Sequence, residues 1–123
     1  MQAETNESYL IFTIHKRLYA IKNTNVQEIM HSAKIHPLPF VPDYIEGMVN
    51  CRGLPYTVVN LLKMEKEEDC EIPEPTVLVF RREDDQISLH ISGMFPVYFL
   101  CFPCLFQVCF LIFPCIFQVC FNL

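Results

Sequence analysis

Charge stops partway along this chain, and where it stops limits what each part can fold into. All 14 acidic and all 9 basic residues of the 123-residue sequence lie at or before Asp85, so the last 38 residues carry none. From Phe95 to Phe121 the sequence is Phe, Cys, Leu, Ile and Val with one tyrosine. It is interrupted only by Pro96, Pro103, Pro114, Gln107 and Gln118. A folded surface needs polar residues at its outward positions. Two different kinds of sequence are therefore joined end to end.

One small domain is what 123 residues support. The charged part alone lies near the lower size limit for a self-sufficient core. The net charge of −5, with nine scattered cations and no basic stripe, gives no support for nucleic-acid binding, and no nucleic-acid partner is expected. Cys51 and Cys70 are the only cysteines in the first 92 residues, which suits a reducing cytosol. The opening MQAETNESYL has neither a basic region nor an apolar stretch, so it does not read as a secretory signal. The expected compartment is the cytoplasm.

Residues 1–7 are polar and expected to fray. Tyr9–Ile14 and Leu18–Ile21 read as a β-hairpin about the polar turn His15-Lys16-Arg17. Asn25 and Glu28 form a capping pair, and Val26, Ile29 and Met30 lie at helical spacing, so a short helix is expected near Asn25–His31. Pro37, Pro39 and Pro42 make an extended connection. Gly47 and Gly53 bracket a strand, with Arg52 presented in the turn that follows. Tyr56–Leu62, Thr76–Phe80 and Gln86–Ile91 read as further strands, separated by an acidic loop from Lys63 to Pro75. Five or six short strands and one helix favour a small barrel.

These elements together resemble the CheW-like family, the coupling proteins of bacterial chemotaxis. Tyr9-Leu10-Ile11-Phe12 resembles its opening hairpin and Val26-Gln27-Glu28-Ile29-Met30 its short helix. Ile35-His36-Pro37-Leu38-Pro39 resembles its proline-rich connection. Asn50-x-Arg52-Gly53 followed by Val58-Val59-Asn60-Leu61 resembles its hallmark turn and strand. The resemblance covers roughly residues 8–92, with Asn60 standing where the family usually has an aspartate. It implies a mainly β fold of small SH3-like barrels with one short helix, the second barrel incomplete here. It also implies a non-catalytic adaptor between the cytoplasmic tip of a chemoreceptor and the histidine kinase CheA, without cofactor or metal. The partner-binding residues it implies are Asn50, Arg52, Gly53, Glu28, Ile29 and Ile35.

The tail, residues 93–123, holds a near-perfect repeat: Phe102–Phe110 recurs as Phe113–Phe121, offset by eleven. Its residues are those of T-rich codons, so a frameshift or insertion near Ser92–Met94 is the expected origin, with coupling impaired as a result. The three prolines and the absence of an outward polar face lead to the expectation that the tail does not restore the missing second barrel as an ordered, paired segment. The alternative is a membrane tail anchor with a small cytosolic β domain, since the apolar run exceeds the roughly 20 residues that span a bilayer.

Cys101-x-x-Cys104 has the spacing of a redox pair but no helix-forming run behind it. The five tail cysteines lack zinc-site spacing. His15, His31, His36 and His90 read as solvated or internally satisfied residues. No nucleophile elbow, phosphate loop or purposeful carboxylate pair is present, so no catalytic residue is assigned. Arg52 remains, either bracing its turn or meeting a partner.

Overall fold

The computed structural model describes residues 7–82, 85–99, 106–113 and 116–121. Ten strands are described: β1 (Glu7–Ile14), β2 (Arg17–Lys22), β3 (Val26–Met30), β4 (Ile45–Cys51), β5 (Leu54–Val59), β6 (Thr76–Phe80), β7 (Ile87–Ile91), β8 (Gly93–Phe99), β9 (Phe106–Phe113) and β10 (Ile116–Phe121). One helical turn, α1, covers Leu61–Met64. The strands form two five-stranded sheets, ordered β8-β1-β2-β10-β9 and β3-β6-β7-β5-β4. Neither ladder closes on itself among the described residues.

β6 shows how the core is divided. All five of its residues are buried. Leu78 and Phe80 face a large cluster with Leu10, Phe12, Ile14, Tyr19, Ile21, Leu89 and Ile91. Val77 and Val79 face a smaller one with Val49, Cys51 and Val58. Alternate residues of a strand point to opposite faces, so an unbroken apolar run marks a strand covered on both sides. Between β1 and β2, Phe12 lies opposite Tyr19 with the rings stacked 5.3 Å apart.

The expected helix near Asn25–His31 is not there. Asn23–Asn25 form one 3-10 turn, and Val26–Met30 is strand β3, paired with β6. The helical spacing has another cause. β3 carries a bulge in which Val26 opposes Phe80 and Glu28 opposes Val79, leaving Gln27 as an extra residue. The bulge shifts the alternation by one. Val26 and Ile29, three apart, therefore both pack on the large cluster, while Met30 packs on the small one. The one described α-helix is α1, where Asn60 ends the strand and its Oδ1 accepts the Lys63 N–H at 3.1 Å. That capping bond turns Leu61 and Leu62 into helix instead of the end of a strand.

The described tail residues pair, contrary to expectation. β8 pairs with β1 from Glu7↔Phe99 to Thr13↔Gly93, which also brings Glu7 into the sheet. β10 pairs with β2, and β9 with β10. Pro96 is tolerated because β8 is an edge strand, where a missing N–H faces away from the ladder. Pro103, Pro114, Cys101 and Cys104 lie outside the described residues. Among the described residues no helix is long and apolar enough to cross a bilayer.

Candidate functional site

The β4–β5 hairpin is closed by two residues. Cys51 pairs with Leu54, leaving Arg52 and Gly53 in the loop with φ of +55° and +85°. Two positive values are the requirement of the turn that matches strand twist, and Asn-Gly is its usual sequence. Here Asn50 supplies the polar side chain from outside the loop: its Oδ1 accepts the Gly53 N–H at 2.8 Å. Arginine in the left-handed region costs roughly 1 kcal/mol. The strain aims Arg52 outward; its side chain is 70% exposed.

One carboxylate gathers this tip. Glu28, on β3, accepts from Arg52 Nε at 3.1 Å and from Cys51 Sγ at 3.4 Å, both at Oε1. Burial raises the Cys51 pKa, and the Glu28 carboxylate beside it adds to the effect, so the thiol stays protonated and unreactive. Of the residues implied by resemblance, Glu28, Asn50, Arg52 and Gly53 come together. Ile35 lies on the same side, half-buried against Val49, Cys51, Val58, Val77 and Val79. Ile29 does not join them: the bulged β3 turns it onto the opposite cluster, where it is a packing residue.

Behind the hairpin lies a polar network that the sequence did not disclose. A second bulge, at Glu46 of β4, leaves that residue unpaired between Ile45↔Val59 and Gly47↔Val58. Glu46 Oε2 accepts from Asn60 Nδ2 at 2.6 Å, and Oε1 lies 2.7 Å from His90 Nδ1. Asn60 Nδ2 also donates to the Cys70 carbonyl at 2.9 Å, and His90 Nε2 lies 2.6 Å from the Glu74 carbonyl oxygen. Both atoms facing the His90 ring are acceptors, so both nitrogens carry protons and neither is free to act as a base.

The charges follow. Burial alone would lower the His90 pKa, but the Glu46 and Glu74 hydrogen bonds and carboxylate charges outweigh it and raise it. Burial alone would raise the Glu46 pKa, but bonds from His90 and Asn60, with the charges of His90 and Lys63, lower it. The network requires an amide at position 60. A carboxylate there would face the Glu46 carboxylate at hydrogen-bond distance and could donate to neither Glu46 nor the Cys70 carbonyl. The signal was present in part, since an asparagine preceding Leu-Leu-Lys-Met is a helix cap.

Fold and tip together define a two-sheet β module that presents a braced, charged hairpin. The chain belongs to the CheW-like domain family, whose family model matches residues 8–97, past the boundary expected at 92. It is similar to the chemotaxis protein CheW of Bacillus subtilis (strain 168), 31% identical over 78 residues, covering 63% of this chain and 50% of the relative. It is also similar to the chemotaxis protein CheW of Thermotoga maritima, 26% identical over 88 residues, covering 72% of this chain and 58% of that one. The chain spans about half the length of the curated relatives it matches. Among solved structures, the scaffolding protein TtCheW of Thermoanaerobacter tengcongensis superposes with a TM-score of 0.68 at 18% identity, over 78% of this chain and 66% of that one. That likeness bears on the fold.

Proposed function

We propose that this chain is a non-catalytic adaptor of bacterial chemotaxis signalling, joining the cytoplasmic tip of a chemoreceptor to the histidine kinase CheA in the cytoplasm. The observation that carries the reading is the β4–β5 tip, which lies within the family match. A strained arginine is held 70% exposed and oriented by a single carboxylate. Strain retained at a surface points to use of that surface. A bracing role would bury the guanidinium among loop carbonyls; here it reaches one half-buried carboxylate. Asn50 and Gly53 set the turn, Arg52 and Glu28 supply the charge pattern, and Ile35 supplies apolar area beside it.

The test is Arg52→Ala in a pull-down with receptor tip and kinase, with thermal unfolding measured in parallel. A surface ion pair contributes about 0.5 kcal/mol, so the unfolding temperature should move by only a few degrees. Partner capture should weaken about thirtyfold, the effect of losing an interface residue that contributes about 2 kcal/mol. Undiminished capture would remove Arg52 from the interface. A large fall in unfolding temperature would return it to a bracing role.

The shifted reading frame expected near Ser92–Met94 is proposed instead for the residues beyond Val97, because the family match continues to that residue. Family-like sequence in another frame of the gene downstream supports this; its absence from both other frames rejects it.

A further inference from the structure

Among the described residues four strands form sheet edges, and three of them carry a proline, a charged residue or an outer bridge. β8 contains Pro96. β3 has its bulge at Gln27 and the charged Glu28. β4 is bulged at Glu46 and bridged from outside by His36, which exchanges hydrogen bonds of 2.8 Å with Met48 in both directions. β9 has no proline and no charged residue, and its only irregularities are bulges at Cys109 and Ile112. Among the described residues it pairs with β10 alone. An uncharged open edge is a template for another strand.

The sequence identifies that strand. β9 contains Phe106-Gln107-Val108-Cys109-Phe110, and β10 contains the same five residues as Phe117–Phe121. Their pairing is this segment pairing with a copy of itself. Val119 lies opposite Val108, its own counterpart in the repeat, and Cys120↔Gln107 and Phe121↔Phe106 continue that match on one side; on the other, the bulge at Cys109 sets Gln118 opposite Phe110 and Phe117 opposite Leu111. A segment that pairs antiparallel with its own copy inside one molecule offers the same match between molecules. We propose that two copies of this chain associate β9 to β9, antiparallel, about a two-fold axis at Val108, joining their sheets into one. The edge lies beyond the family match at Val97, so it belongs to this chain's tail and not to the shared domain.

Sedimentation of the full chain under a thiol reductant, which removes disulfide-linked dimers, tests this. The expected mass is twice the 14.4 kDa chain at raised concentration. Val108→Lys and Val108→Glu each place like charges directly opposite each other across the axis, and each should raise the dimer dissociation constant about tenfold or more. An equimolar mixture of the two variants should restore the dimer. Monomeric wild type at every concentration, single variants that dimerise as wild type does, or a mixture that stays monomeric would each overturn the proposal. Heavy, polydisperse wild type that neither variant resolves would also overturn it, because a two-fold contact closes.

Discussion

Replacing Glu46 by alanine should destabilise the fold by about 3 kcal/mol near pH 6, measured by urea unfolding. The substitution leaves the His90 imidazolium, 8% exposed, without its counter-charge, and leaves an Asn60 N–H without its acceptor. Removing one partner of a buried pair costs roughly 3–5 kcal/mol. The low end applies because Glu46 itself keeps 18% exposure. Glu46→Gln should cost less, about 2 kcal/mol, since one amide oxygen must replace two carboxylate oxygens for two donors. An Ala variant as stable as wild type would mean that the network contributes little.

The same pair sets a pH dependence. His90 titrates higher in the fold than its ordinary value of 6.5. Its contribution is complete below that value and is lost as pH rises through the folded pKa. Glu46 titrates lower than its ordinary value of 4.5. Its contribution is complete above that value and is lost as pH falls through the folded pKa. The pair therefore stabilises most between about pH 4.5 and 6.5. The difference between wild type and Glu46→Gln should be largest in that window and shrink on both sides. His31→Gln, at an exposed site, is the control and should leave the wild-type profile in place. A difference that grew steadily toward alkaline pH would contradict a protonated His90.

What the sequence disclosed follows from periodicity. β1, β2, β6 and β7 lie within about two residues of the expected strands, because their apolar residues alternate or run unbroken. Bulges hid the rest. The bulge at Gln27 gave a strand the Val26/Ile29 spacing of a helix, and no local rule distinguishes the two over five residues. The bulge at Glu46 placed that acid at the centre of a buried network. A bulge is decided by the partner strand, which is distant in sequence. The tail strands were missed for a related reason. Apolar sequence without alternation carries no register, and β10 takes its register from β2.

The candidate site was legible where turn chemistry is local. Asn50, Arg52 and Gly53 are neighbours in sequence, and Gly53 after a strand announces its turn. Glu28 was implied by resemblance, but its acceptance of bonds from Cys51 and Arg52 depends on two strands that do not pair with each other, β3 and β4, at opposite edges of one sheet. Ile29 was turned to the opposite cluster by the same bulge that hid the strand.

The other large expected effect is at Gly47. Gly47→Ala should cost about 3 kcal/mol, enough to lower the unfolding temperature by more than 10 °C in a domain of this size. A Cβ on Gly47 would stand 2.2 Å from the His36 carbonyl oxygen and 2.7 Å from its carbon, both backbone atoms that cannot swing aside. The φ of +147° adds strain that side chains rarely accept. Relief would require His36 to withdraw, breaking both of its 2.8 Å bonds to Met48 and uncovering the edge of β4. Gly53→Ala supplies the contrast. Its φ is also positive, at +85°, but nothing lies within 4 Å of the added carbon, so only the backbone preference of about 1 kcal/mol is lost. Thermal unfolding of the two variants side by side separates contact from conformation. Equal losses at Gly47 and Gly53 would show that His36 yields freely and that the outer cover of β4 is loosely held.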